Sequence, residues 1–189
     1  MAEAARKIIV EQGPEKLTTE AIGIAVGLSD GGIFRHFKNL EEIVIQVLED
    51  NEASFVRMSA DLRDSPGFAL DKLERLFRLE LSSAERRGAV GFVILSWSLH
   101  TGNPVLKQRA RKTAEMHFRV VIDFLREGQS EGLVAPGMNV ERAAELFLGM
   151  LQGHIRWWTL QDRTEALCDA CDDLWALYRR AVQTAPTFG

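Results

Sequence analysis

Apolar residues in this chain recur every third or fourth position rather than every second, and that spacing predicts helices almost throughout. The first helix is expected from Ala2 to Gln12, where the Gly13-Pro14 pair breaks it. Thr18 or Thr19 caps a second helix, with Ile22, Ala25 and Val26 facing inward. Gly27 supplies a tight turn, and Ser29 caps a short third helix reaching about Phe34. Asn39, with Glu42 three residues on, has the form of a capping box opening a long fourth helix to near Leu62, before Ser65-Pro66-Gly67. Beyond it, Phe68 to Ser83 sets Leu70, Leu73, Phe77 and Leu81 at helical spacing. Val90 to Leu99 is nearly all apolar and reads as a buried central helix. Asn103-Pro104 opens a helix to about Gln129, and Gly132 and Pro136-Gly137 break the chain again. Asn139 caps a helix to about Leu160, and Thr164 caps the last, which reaches about Val182.

The expected fold is therefore all-α with about nine helices. A three-helix helix-turn-helix domain occupies residues 1–48, and a larger helical domain occupies residues 49–189. The stretch from Thr18 to Ile43 carries the functional information: two short helices around a glycine turn, the second of which would enter a DNA major groove.

Composition narrows the class. At 46% hydrophobic and 26% charged residues the chain has a globular balance, which argues against disorder. No apolar run approaches the roughly 18 residues that span a bilayer, so no membrane is expected. Two cysteines make no disulfide framework, which points to a reducing cytoplasm. Residues 1–48 hold five Lys or Arg against seven Asp or Glu, a net charge of −2, so nonspecific attraction to phosphates is weak. Affinity is expected from local charge placement and helix N-termini, or from a basic arm ahead of Met1. No Ser-His-acid set or paired carboxylates nominate an active site, so no enzyme is expected. No metal or cofactor is expected either: Cys168 and Cys171 form a CxxC without a second pair or histidine ligands, and read as small buried thiols in a helical pattern.

Gly13, Thr18 or Thr19, Ile22, Gly27, Ser29, Gly31, His36, Phe37, Glu42 and Ile43 together resemble the DNA-binding domain of the tetracycline-repressor (TetR) family. The resemblance continues more weakly through Gly128, Glu131-Gly132-Leu133, Ala143-Ala144 and Gly149 to Gly153. It implies a homodimeric transcription regulator, a repressor bound to a double-stranded DNA operator and released by a small apolar or aromatic effector. The helix ends capped at Thr18, Ser29 and Asn39 would meet the DNA backbone, with Thr19 beside the first. His36 and Lys38 would contact phosphate, Arg35 phosphate or a base edge, and the segment with Ser29, Asp30, Gly31, Gly32 and Phe34 would read sequence. The chain departs from the family pattern at Phe34, where tyrosine is usual, and at Leu40, where a phosphate-contacting lysine is usual. Gly31 and Gly32 offer no side chains to the groove, and Asp30 is a candidate acceptor for a cytosine amino group, so readout should be tolerant or shape-based.

In the larger domain the candidate effector pocket is Phe92, Trp97, His100, His117, Phe118, Arg156 and Trp157, set against a plain core-and-interface role for each aromatic. Two apolar stripes in the last two helices would build a four-helix interface between protomers. One is Ala144, Leu146, Phe147, Met150, Leu151 and His154; the other is Leu167, Cys171, Leu174, Trp175 and Tyr178. The fourth helix links the two domains and is the natural lever between effector and DNA. Two other classes stay open: a helical protein-interaction factor that uses DNA only as a platform or not at all, and a helical ligand-binding or enzymatic domain.

Overall fold

A computed structural model describes residues 1–162 and 165–184. Among them are nine α-helices and one 3-10 turn, joined by loops and a single isolated β-bridge. They pack as two compact units: Met1–Phe55 with Arg86–Thr113, and the described residues of Val56–Glu85 with Ala114–Gly189.

The first unit begins with α1 (Ala2–Gln12), which ends because Gly13 takes a φ of 93° and turns its N–H back to the Ile9 carbonyl at 3.2 Å. Pro14 then starts the 3-10 turn Pro14–Lys16. Next come α2 (Thr19–Val26), α3 (Asp30–Ile33) and the first half of α4 (Leu40–Asp64). Ala5, Ile8 and Ile9 of α1 bury with Ile22, Ile33, Ile43 and Val44 in one cluster, which also takes in Val90 and Ile94 of α6 (Val90–Ser98) and Leu106 of α7 (Pro104–Ser130). The helix-turn-helix thus shares its core with α6.

The second unit is built on α5 (Ala69–Arg86), the later part of α7, α8 (Val140–Leu160) and α9 (Cys171–Val182). Leu70, Leu73, Phe77 and Leu81 are fully buried, as their spacing predicts. Phe77, Phe147, Trp175 and Tyr178 stack edge-on or tilted, with centroids 5.4 to 6.5 Å apart. The Tyr178 hydroxyl donates to the Ala143 carbonyl at 3.0 Å, which satisfies its one polar atom in this apolar setting. Buried Lys72 is held by the Arg63 carbonyl at 3.3 Å and Glu127 at 3.2 Å. Gly128 is buried in α7 where a Cβ would lie 2.8 Å from Val134, so the returning chain can bridge Val134 to Gln183.

Five expectations are corrected. Ala25 is exposed: Ile22, Gly23 and Val26 turn the other side of α2 inward, and at 100° per residue Ala25 falls outside that arc. α6 is not buried all round; Val90, Ile94 and Ser98, four apart, bury one face, and Leu99 and His100 beyond its end are exposed. The last helix does not begin near Thr164, which lies outside the described residues; α9 begins at Cys171. The preceding backbone is engaged elsewhere, because Trp158 donates to the Glu165 carbonyl and His154 contacts the Leu167 carbonyl, each at 2.8 Å. Cys168 therefore lies in a turn, not in a helix. Finally, Ala144, Phe147, Leu151, Leu167, Cys171, Trp175 and Tyr178, from the stripes assigned to a protomer interface, are buried within this chain's own core.

Candidate nucleic-acid interface

The local chemistry of the helix-turn-helix comes from its caps. Thr18, in extended backbone, accepts the Ala21 N–H on its hydroxyl at 3.0 Å and so starts α2. α2 ends at Gly27, whose φ of 70° is the left-handed conformation glycine adopts without strain. The chain then folds back closely: a Cβ at Gly23 would lie 2.7 Å from the Leu28 carbonyl oxygen. Gly23 is a residue that sequence reasoning missed; its signal was a glycine inside a helical pattern.

Ser29 accepts the Gly32 N–H at 3.3 Å and opens the single turn of α3, which buried Ile33 anchors in the core. The amides of His36 and Phe37 both bond the Ile33 carbonyl, at 2.9 and 3.1 Å. That tight exit leaves Phe34, Arg35 and His36 exposed while Phe37 packs inward. Among the described residues the Arg35 and His36 side chains make no hydrogen bond or ion pair, so both are available to a ligand. The third cap is Asn39, whose Oδ1 accepts the Glu42 N–H at 2.9 Å. The reciprocal bond falls one residue early, since Glu42 accepts the N–H of Lys38 at 2.7 Å instead of that of Asn39. Glu42 also lies 3.9 Å from the exposed Lys38 ammonium.

Thr18, Ser29, Gly31, Phe34, Arg35, His36 and Lys38 are exposed, and Thr19 and Gly32 are half-buried; the Asp30 side chain lies outside the described residues. A Cβ at Gly31 would make ordinary contact with the Ser29 hydroxyl at 4.0 Å, whereas one at Gly32 would lie 3.3 Å from the Leu28 side chain. The surface beside α3 is thus more apolar than expected, with Leu28 41% and Phe34 51% exposed.

The effector candidates divide between the units. Phe92 and Trp97 are half-buried and His100 is exposed in the first; in the second, His117 and Phe118 are half-buried, and Arg156 and Trp157 are exposed. His117 lies 3.9 Å from Glu80. Of the seven, Trp157 borders a cleft of about 250 Å³ in the second unit, whose other walls include His154, Trp158, Glu165, Asp169 and Asp173. That lining is acidic, unlike the apolar pocket expected. Among the described residues no three His, Cys, Asp or Glu side chains are grouped as metal ligands, and no helix is long and apolar enough to cross a membrane.

Residues 2–47 match the model for bacterial regulatory proteins of the tetR family. The fatty acid metabolism regulator protein of Bacillus subtilis is 24% identical over 164 residues, 85% of this chain and 82% of that one. The nucleoid occlusion factor SlmA of Aliivibrio fischeri is 27% identical over 177 residues, 91% of this chain and 88% of its own. The crystal structure of the regulator FadR from Bacillus subtilis with stearoyl-CoA superposes with a TM-score of 0.84 at 21% identity, covering 96% of this chain and 97% of that one.

Proposed function

We propose that the chain, whose residues 2–47 match the tetR family of bacterial regulatory proteins, is a ligand-responsive DNA-binding regulator and not an enzyme, a homodimeric repressor released from its operator by a small apolar molecule. The observation that carries this is the short, capped α3, held by Ile33 with Arg35 and His36 free beside it, inside a matched DNA-binding domain. We assign DNA binding to residues 1–48 and effector binding and dimerisation to residues 49–189. Amides at the capped starts of α2 and α4, with His36 and Lys38, hydrogen-bond phosphates; α3 and its flanks read bases.

The effector class follows the relative solved with stearoyl-CoA: a long acyl or similarly apolar group. Release requires that the ligand favour a state in which the two recognition helices no longer match the half-site spacing. α4, whose first turns lie in the DNA-binding core, is the proposed lever. With most of the predicted stripes consumed by the core, the dimer face we assign is what α8 and α9 leave uncovered: Leu146, which belonged to the first stripe, with Trp157, Leu160 and Leu177, exposed by 52, 59, 67 and 62%. Gly149 and Gly153 lie on the same side of α8 with nothing near a Cβ, which lets two helices approach closely.

The test is fluorescence anisotropy on DNA from the protein's own promoter region, beside scrambled DNA, at two salt concentrations. Site-selective binding relieved by long-chain acyl thioesters is expected. His36→Ala and Lys38→Ala should weaken binding to both DNAs alike, and Lys38→Ala should also lower the salt slope by about 1. A second reading, an interaction factor using DNA as a platform, draws on the net charge of −2 in residues 1–48 and on the SlmA relative. Unselective binding to long DNA with no ligand response would favour it.

A further inference from the structure

Cys168 and Cys171 are the two cysteines of the chain, and DNA binding makes no use of them. They lie at the root of α9, Cys168 in the turn and Cys171 as the first helical residue. The Cys171 N–H donates to the Cys168 carbonyl at 3.0 Å. A four-residue turn closed in this way keeps its end Cα atoms within about 7 Å, the upper edge of the roughly 4.4–6.8 Å that a disulfide spans. Sulfur can therefore meet sulfur with little movement of the backbone.

The pair is unequal. Cys171 is buried, and burial together with the neighbouring Cys168 thiol pushes its own thiol up to about 12, so it stays protonated at neutral pH. Cys168 is half-buried, with its Sγ 3.8 Å from the Arg78 carbonyl. We infer that these residues form a peroxide-responsive dithiol, in which Cys168 is the sulfur that reacts first and Cys171 the one that closes the disulfide. Cys168 as thiolate attacks one peroxide oxygen and breaks the O–O bond; the other oxygen leaves as hydroxide and takes up the thiol proton, giving a sulfenic acid and one water. The Cys171 sulfur then displaces the sulfenic hydroxyl, forming S–S, and its proton leaves with that hydroxyl as a second water. Two thiols and one peroxide become one disulfide and two waters. Closure draws Cys168 away from the Arg78 carbonyl, beside the Arg78–Asp172 ion pair that ties α5 to α9.

The full chain, reduced and freed of reductant, is treated with hydrogen peroxide at neutral pH, then denatured with an alkylating reagent and weighed. The expected product is monomeric without reductant, takes up no alkyl group, weighs two hydrogens less, and regains both thiols with dithiothreitol. It should form faster in folded than in urea-unfolded protein, because the turn holds the sulfurs together. Cys171→Ser should stop at a sulfenic acid on Cys168 that dimedone traps; Cys168→Ser should keep an unmodified thiol at 171. Two alkylated thiols, oxygen adducts without a disulfide, or equal rates in folded and unfolded chains would overturn the inference.

Discussion

Leu28 and Phe34 stand exposed beside α3, the proposed recognition helix, which carries glycine at positions 31 and 32, and under that proposal this decides what the surface reads. Glycines leave few hydrogen-bonding groups, while an apolar side chain in a major groove finds the thymine methyl group. On the proposed function, replacing operator thymines by uracil should weaken binding by about 0.8 kcal/mol for each methyl contacted. Leu28→Ala or Phe34→Ala should remove that sensitivity at one position, and equal affinity for thymine and uracil operators would refute the methyl reading. The two glycine environments in this motif make a matched pair. Gly23→Ala must push the Leu28 carbonyl aside and should cost about 1–3 kcal/mol together with DNA binding. Gly31→Ala meets only an ordinary contact with Ser29 and should gain up to about 1 kcal/mol in helix propensity, as thermal melts of the two variants would show. Both glycines are plain in the sequence; only the distance to Leu28 separates them.

Most helices were legible because their ends are chemical and local. Thr18, Ser29, Asn39, Asn103 and Asn139 accept amides two or three residues on, the contact that defines an N-cap. Asn139→Ala should therefore cost about 1 kcal/mol, measured by chemical denaturation. The failures are elements whose limits are set from elsewhere. α9 starts late because α8 side chains occupy the backbone before it. α5 has its first amide, at Ala69, capped by Glu131, in the turn just past α7, at 2.9 Å, a bond between residues 62 apart that no local pattern predicts. α8 and α9 also meet through Tyr178, whose phenol is pushed well above its ordinary range by burial. A raised folded-state pKa means that the stabilisation is whole below the unfolded value, about 10, and is lost as pH rises beyond it. Tyr178→Phe should cost about 1 kcal/mol at neutral pH, and the wild-type advantage should shrink above about pH 10 in melts of both proteins.

At the scale of the molecule, the same apolar stripes served two candidate purposes, and packing chose between them. Phe147, Leu151, Trp175 and Tyr178 close the core of the second unit, and the proposed dimer face is displaced around α8 to Trp157 and Leu160. Leu160→Glu should split that dimer with little effect on the fold, which sedimentation and far-UV circular dichroism can check together; Phe147→Ala should instead cost about 3–5 kcal/mol. By itself the sequence determined the helical class, most helix ends, the glycine turn and the three caps of the DNA-binding motif. Each depends on residues within about four positions of one another, where spacing and side-chain chemistry act directly. Tertiary structure alone decided that residues 1–55 pack with 86–113, which faces of α6 and α8 stay open, and that Cys168 meets Cys171 in a turn. Those outcomes depend on which distant surfaces exclude water from one another, and periodicity marks a face as apolar without naming its partner.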